Sequence, residues 1–501
     1  MFPAPLLSLV TVGLFLFLAS ARSEDALKWE GPLSFVDDFA IEQMTGLDRT
    51  LEQPVKKAKP VIVGEKPWES NPYLFGTVLF DSSTATYRMW YMSYNRGKTP
   101  TERTPILYAE SKDGLTWAKP NLGLYSFDGS KENNIVLGSL GFHDLYSPSV
   151  LADPAAQDPA RRFKMIFWDK TGADTYRDGG MHVAFSPDGI HWTRHEKNPV
   201  LKAGRDEHSI SDVMDLVRDP GSGKFVVYAK GWNKDAWKSD GKENKETSQR
   251  IILRSESTDF VNWSRPEPVV RHARTPEDPQ SYGMPVFYQD GVFLGLLRSY
   301  KLPGDERIDI RLMSSRDGKK WDSVCEGQTF LGTGTGDDKW DDGMIFTAPP
   351  LVAGDKVRIY YGGWDGPHES RYRHSAIGLA ELPAGRLAAL TPREQKGSLT
   401  TRPFSGQGME LFLNAALKGG ACRVAVLDAT GRELPGFGLA DCDTLDGDGA
   451  RLPVKWKGKS LATVSAEPIR LKFELMNEAR LYGCHLENKS GAYTMSAPQL
   501  Q

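Results

Sequence analysis

Acidic residues recur at one relative place along this 501-residue chain, just before or just inside the first strand of each of five strand-rich units. Glu69 precedes Pro72-Tyr73-Leu74-Phe75, and Asp144 sits in His143-Asp144-Leu145-Tyr146. Asp212, with Asp215 three further on, follows His208; Glu277 and Asp278 precede Pro279-Gln280-Ser281-Tyr282; Asp341 and Asp342 precede Met344-Ile345-Phe346. Two carboxyl groups held across one pocket can divide acid–base work: one donates a proton to a leaving group, and the other, ionised, acts as base or nucleophile. Crowding and burial raise the pKa of one member and make it the donor. Taken singly, each acid reads better as a solvated or turn-capping residue. Recurrence in all five units is what favours a shared site. Asp144, Asp212 and Asp341 form the preferred catalytic set, with Glu69 as a further acid.

His143, His208 and His368 lie in or near the same loops, three of the chain's nine histidines. Their spacings match no metal motif, so neither a metal nor a cofactor is expected. No nucleophile elbow, phosphate loop or dinucleotide fingerprint occurs.

The elements that would position these residues are marked by a repeat. Ser111-Lys-Asp-Gly-Leu-Thr-Trp117, Ser186-Pro-Asp-Gly-Ile-His-Trp192, Ser257-Thr-Asp-Phe-Val-Asn-Trp263 and Ser315-Arg-Asp-Gly-Lys-Lys-Trp321 share the pattern S-x-D-x-x-x-W. Their tryptophans stand 75, 71 and 58 residues apart (192−117, 263−192, 321−263). Repeats on this scale indicate a propeller or solenoid. Short β-branched or aromatic runs bounded by Asp, Gly and Pro precede each copy, as in Tyr87-Arg88-Met89-Trp90-Tyr91-Met92 and Phe163-Lys164-Met165-Ile166-Phe167-Trp168. A fifth unit without the box runs through Ile345–Ala348, Val357–Tyr361 and Ala376–Ala380. The expected fold is all-β: a five-bladed propeller over 60–392, then a β-sandwich over 404–490. The box itself reads as structural, its Asp accepting backbone N–H bonds and its Trp packing between sheets.

The net charge is −3 and the sequence pI about 6.4, so no nucleic-acid partner is expected. The apolar run Leu6–Leu18, ending in Ala19-Ser20-Ala21, reads as a secretory signal peptide over 1–21. This implies a secreted or periplasmic protein with no membrane span after cleavage. Cys422 and Cys442 could bridge in an oxidising compartment; the four cysteines do not form a disulfide scaffold. Asp441–Asp448 lacks the spacing of a calcium loop and reads as an Asp/Gly turn.

Five such units followed by a sandwich, in an exported chain, resemble the five-bladed propeller glycosidases of glycoside hydrolase families 32, 43, 68 and 130. The N-terminal propeller of family 32 is the best match, through Tyr87-Arg88-Met89-Trp90-Tyr91 and Tyr108-Ala109-Glu110-Ser111-Lys112-Asp113-Gly114. The resemblance implies glycoside hydrolysis through paired carboxylates in an axial pocket, on a poly- or oligosaccharide. On the residues themselves, His143, His208 and His368 could hydrogen-bond sugar hydroxyls or hold a metal with the acids, Tyr146, Tyr282, Trp232 and Trp364 could stack on sugar faces or equally pack in the core, and Asp278 and Asp342 are further substrate-binding candidates. The family's motifs are not matched throughout. Its nucleophilic Asp motif aligns with Trp68-Glu69-Ser70-Asn71-Pro72, which has none. Arg218-Asp219-Pro220 reads as a hairpin turn, and Cys325-Glu326 reverses the motif of the acid. The alternatives are a non-catalytic carbohydrate-binding propeller and a sialidase-like hydrolase; the sialidase reading requires an arginine cluster that the linear sequence does not display.

Overall fold

The computed structural model describes residues 27, 29, 31–238, 243–244, 247–271, 278–302, 304–334 and 340–488; the signal segment 1–21 and Glu277 lie outside them. The chain is all-β. Helical segments among the described residues are four short turns, Pro100–Arg103, Pro159–Arg161, Thr175–Asp178 and Leu461–Thr463.

Five antiparallel meanders follow one another. The first runs Pro72–Asp81, Thr86–Ser93, Ile106–Ser111, Ile135–Leu137. The second runs Tyr146–Ala152, Phe163–Lys170, Gly179–Ser186, with Thr193–Arg194 and Leu201–Lys202 sharing the outer edge. The third runs Ile210–Arg218, Phe225–Trp232, Arg250–Ser257, Glu267–Val270. In the fourth, Gln280–Gly283 and Val286–Gln289 both pair with Val292–Tyr300, which continues to Ile308–Ser315 and Asp322–Ser323. The fifth places Met344–Thr347 and Leu351–Ala353 on Lys356–Trp364, then Ser375–Pro383. Its outermost strand is Val55–Lys56, from the far N-terminal side of the chain.

The first strands meet side by side around an axis. Val150 N–H donates to Thr77 Oγ1 at 2.9 Å, and Leu216 N–H to Ser149 Oγ at 3.0 Å. Arg298 of the fourth meander bridges Asp215 of the third and the Thr347 carbonyl of the fifth. Phe75 and Phe346, 4.6 Å apart, join the first and fifth meanders. Apolar side chains fill the spaces between successive sheets, so every middle strand is buried on both faces.

Each box forms the same turn. The Asp113 carboxylate accepts from Leu115 and Thr116 N–H at 2.7 and 2.8 Å, and Asp188, Asp259 and Asp317 repeat the pattern. The fourth position takes a positive φ, 73° at Gly114 and 79° at Gly189, which glycine adopts freely. Its carbonyl then receives a donor from the preceding sheet: Tyr360 Oη to Gly114 O, Trp90 Nε1 to Gly189 O, and Tyr228 Oη to Gly318 O, all at 2.7 Å. The box aspartates sit below the ordinary carboxylate range; at Asp113 the backbone N–H groups are the chief cause and the pKa falls to about 2.

Two further sheets share one core centred on Trp456, Phe473 and Leu413. One has the order Leu47–Leu51, Ala388–Pro392, Arg480–Asn488, Met409–Ala416, Asp448–Pro453, with Gly31–Ser34 also on Arg480–Asn488. The other has the order Ile41–Thr45, Lys396–Thr401, Arg470–Asn477, Gly420–Leu427. Residues 31–51 therefore pair with C-terminal strands, and Ala388–Pro392 pairs here rather than with the fifth meander. All four cysteines are free and buried, and the Val424 N–H points at Cys442 Sγ at 3.2 Å. Asp441 pairs with Lys457 and Asp443 accepts from the Lys457 and Gly458 N–H groups, as an Asp/Gly turn would. No helix among the described residues is long and apolar enough to cross a membrane.

Candidate active site

Starts of first strands, ends of second strands and starts of third strands gather at the end of the ring opposite the boxes. Strand pairing slips there in four meanders, between Tyr73 and Thr77, Ile166 and Trp168, Ile210 and Met214, and Ser281 and Gly283. Such bulges re-aim side chains that regular pairing would hold in the sheet face. Ser147, with φ 50°, marks the same break in the second meander.

Asp144 and Asp212 come together here. Asp144 accepts from Arg103 Nη1 at 3.1 Å and from Tyr146 Oη at 3.1 Å. Asp212 pairs with Lys230 Nζ at 2.7 Å, accepts from Ser211 Oγ, and keeps 34% of its side chain open to solvent. Burial and both carboxylates push the Tyr146 hydroxyl upward in pKa, which places that hydroxyl in the field of each acid. Burial alone would raise Asp212, but Lys230 and Ser211 outweigh it and bring its carboxyl down to about 2. Asp212 is therefore a firmly ionised, partly open carboxylate.

Aromatic rings line the same place. Tyr73 lies 5.1 Å from Trp364, and Tyr282 packs edge-on to Tyr300 at 5.7 Å. Lys230 Nζ sits 4.4 Å over the Tyr282 ring. Tyr282 Oη bonds His368 Nε2 at 2.8 Å, and His368 Nδ1 meets Glu369 at 2.6 Å. Burial, with Arg250 and Lys230 nearby, pushes His368 down to about 4 despite Glu369, so its ring is neutral at pH 7. Beneath these rings the axis is filled by Phe75, Phe346 and the Arg298–Asp215 pair, both of whose hydrogen bonds measure 3.0 Å. Arg298 passes over Gly283, where a Cβ would lie 2.4 Å from its Nη1.

The remaining expected residues lie elsewhere or in other roles. Glu69 is fully buried, held by Lys119 Nζ at 2.6 Å and Tyr91 Oη at 2.6 Å, and burial raises its pKa. Asp341 is turned toward the cleft between the fourth and fifth meanders, bonded to Lys56 Nζ at 2.7 Å and Tyr361 Oη at 3.1 Å. Both acids thus brace strands in the same way, an acid between a tyrosine of the second strand and a lysine. Asp342 is half-buried beside Lys56, its Oδ1 without a partner. His208 is drawn to the outer strand, Nδ1 2.8 Å from the Pro266 carbonyl and 3.3 Å from Glu267. His143 packs 6.3 Å from Tyr146, and Asp278 is half-buried just before Gln280. Trp232 and Trp364 are buried, each stacked by an arginine, Arg250 at 4.9 Å and Arg373 at 5.0 Å. Asp219 caps its own hairpin, accepting from Gly221 N–H at 2.9 Å. No cluster of three or more His, Cys, Asp or Glu side chains is arranged to hold a metal among the described residues.

Sequence reading missed Tyr73, Arg103, Lys230, Arg250 and Arg373. Their common signal was position: each sits at or near a strand end on the pocket side, as the acids do.

No protein-family model and no curated protein matches the sequence. Among solved structures, the protein is similar to one described as a BT0996 RGII complex, at 16% identity and TM-score 0.47, covering 66% of this sequence and 94% of that one. It is similar to a glycoside hydrolase at 15% identity and TM-score 0.46, covering 65% and 92% respectively. It is also similar to a fructofuranosidase of Schwanniomyces occidentalis complexed with fructosylnystose, at 12% identity and TM-score 0.42, covering 88% of this sequence and 100% of that one.

Proposed function

We propose that the five meanders are the blades of a β-propeller closed by Val55–Lys56, that the two remaining sheets form a β-sandwich, and that the protein is an exported glycoside hydrolase acting on a poly- or oligosaccharide. The observation that carries the reading is geometric: Asp144 is bonded to Tyr146, and Asp212 is paired with Lys230, which lies over the Tyr282 ring, at the same end of neighbouring meanders as Tyr73 and Trp364. Aromatic walls suit the apolar faces of sugar rings, and two carboxylates from neighbouring blades suit protonation of a leaving group and stabilisation of the cationic transition state. Asp212, ionised and open, is the base or nucleophile. Asp144 is held more loosely, its hydrogen bond from Arg103 measuring 3.1 Å with 31% of that arginine's side chain exposed. It is assigned the general acid's place, its oxygens bonded by Arg103 and Tyr146.

A second reading has a specific observation in its favour. Each carboxylate is already matched by one cation, Arg103 or Lys230, as in a propeller that binds carbohydrate without turnover. Screening hydrolysis on a glycan panel, with Asp144→Asn, Asp212→Asn and Asp341→Asn alongside, separates the two. Hydrolysis lost in the first two variants and kept in the third supports the enzyme. Binding without hydrolysis in the unaltered protein selects the second reading, and unchanged turnover in Asp144→Asn and Asp212→Asn removes this site. The anomer of the first product, followed by NMR, assigns retention or inversion.

A further inference from the structure

Two guanidinium groups at the pocket have no carboxylate partner among the described residues. Arg250 opens the third strand of the third meander. Its Nη1 donates to Gln280 Oε1 at 2.8 Å, its Cζ lies 4.9 Å over the Tyr300 ring and 5.6 Å over that of Tyr282, and its Nε is buried without a partner. Arg373 comes from the fifth meander; it donates to the backbone carbonyls of Pro367 and His368 and stacks on Trp364. Tyr282 links them, its ring beside Arg250 and its hydroxyl on His368, whose carbonyl holds Arg373.

Among the described residues, the ion pairs here leave two guanidinium groups over. Asp144 is matched by Arg103 and Asp212 by Lys230, one to one. Arg250 and Arg373 are left over. Among the described residues, Glu369 is 65% exposed and bonds His368, and Glu306, beside Tyr300, makes no ion pair with either arginine. Desolvating a guanidinium without a counter-charge is costly, and ring faces compensate it only in part. A planar fork with open N–H groups fits a carboxylate or a sulfate better than it fits a hydroxyl.

We propose that the sugar taken by this pocket carries an acidic group, a carboxylate or a sulfate ester, received by Arg250 and Arg373. The inference rests on the carbohydrate reading above and names its substrate class. Three matched pairs test it on the full chain by titration calorimetry: glucose with glucuronate, galactose with galacturonate, and mannose with mannuronate. Glucose 6-sulfate and inorganic sulfate complete the panel. At least one acidic sugar is expected to bind about tenfold or more tightly than its neutral partner, the scale of one hydrogen bond to a charged group. Glucuronate against glucose 6-sulfate distinguishes carboxylate from sulfate. Arg250→Gln and Arg373→Gln should each abolish that preference, and Arg393→Gln, at a remote surface pair with Asp48, should change nothing. A neutral sugar bound as tightly as its acidic partner in the unaltered protein overturns the substrate class and leaves the carbohydrate reading standing. Inorganic sulfate bound as tightly as any acidic sugar also overturns it. Binding of no sugar at all overturns both.

Discussion

Replacing Arg298 by methionine would test the axial plug. Arg298 is 1% exposed and makes three hydrogen bonds, two to Asp215 at 3.0 Å and one to the Thr347 carbonyl at 2.8 Å. Methionine keeps much of the volume but leaves Asp215 buried and unpaired. Breaking such a pair costs about 3–5 kcal/mol. Burial already pushes the Asp215 carboxyl up, and Arg298 is what pulls it back. Without Arg298 its pKa should climb further, the same energy expressed as proton affinity. The sign follows. A group whose folded pKa is raised loses its stabilising contribution as pH rises through that value, so Arg298→Met should be least stable at alkaline pH. It should recover by about 1.4 kcal/mol per pH unit on acidification through the new pKa. Urea unfolding followed by tryptophan fluorescence at pH 8.5, 7 and 5.5 measures this. Asp215→Asn combined with Arg298→Met should cost less than Arg298→Met alone at pH 8.5, because no charge is left stranded. A loss below about 1 kcal/mol for Arg298→Met, or a loss independent of pH, would refute the reasoning.

Lys230→Met removes the cation that depresses Asp212, so the acidic limb of kcat/KM on a hydrolysed glycan should move to higher pH by about one unit or more; an unmoved limb would exclude Asp212 as the titrating base. Asp341→Asn loosens Lys56 and Tyr361 and should lower stability by about 1–3 kcal/mol in urea while turnover changes less than about threefold. The four buried thiols, with burial holding Cys422 and Cys484 well above the ordinary range, should resist an aromatic disulfide reagent in the native protein and all react in guanidinium chloride.

The repeat made the fold legible because each box performs one local job. Its Ser and Asp are bonded within a single turn, and the ring nitrogens of Trp192, Trp263 and Trp321 donate to a carbonyl of the same turn, so their identities and spacing are fixed there. The site was legible only in part. Asp144 and Asp212 follow the positional rule, yet Glu69 and Asp341 obey it equally and turn into the clefts between sheets. What separates them is the direction set by the bulges and the lysine each meets, Lys119 from a later loop and Lys56 from 285 residues upstream. The basic character of the pocket was also hidden. Arg103, Lys230, Arg250 and Arg373 are spread over 270 positions (373−103) and belong to the first, third and fifth meanders, so only folding brings them to one end of the molecule. The linear sequence shows no arginine cluster, and the folded chain brings its members together.

The strand Val55–Lys56 pairs with Ala380 and Glu381, so the two sides of the last sheet are made 324 residues apart (380−56). At ordinary rates of synthesis, about 5–20 residues per second, that interval is roughly 16 to 65 s. During it Val55–Lys56 has nothing to pair with, and the outer edge of the fifth sheet has yet to be made. The strands before Val55–Lys56 wait longer still, Gly31–Ser34 pairing with residues 483–486. A nascent protein cut short before residue 380 cannot complete its fifth sheet, however completely its earlier sheets have formed.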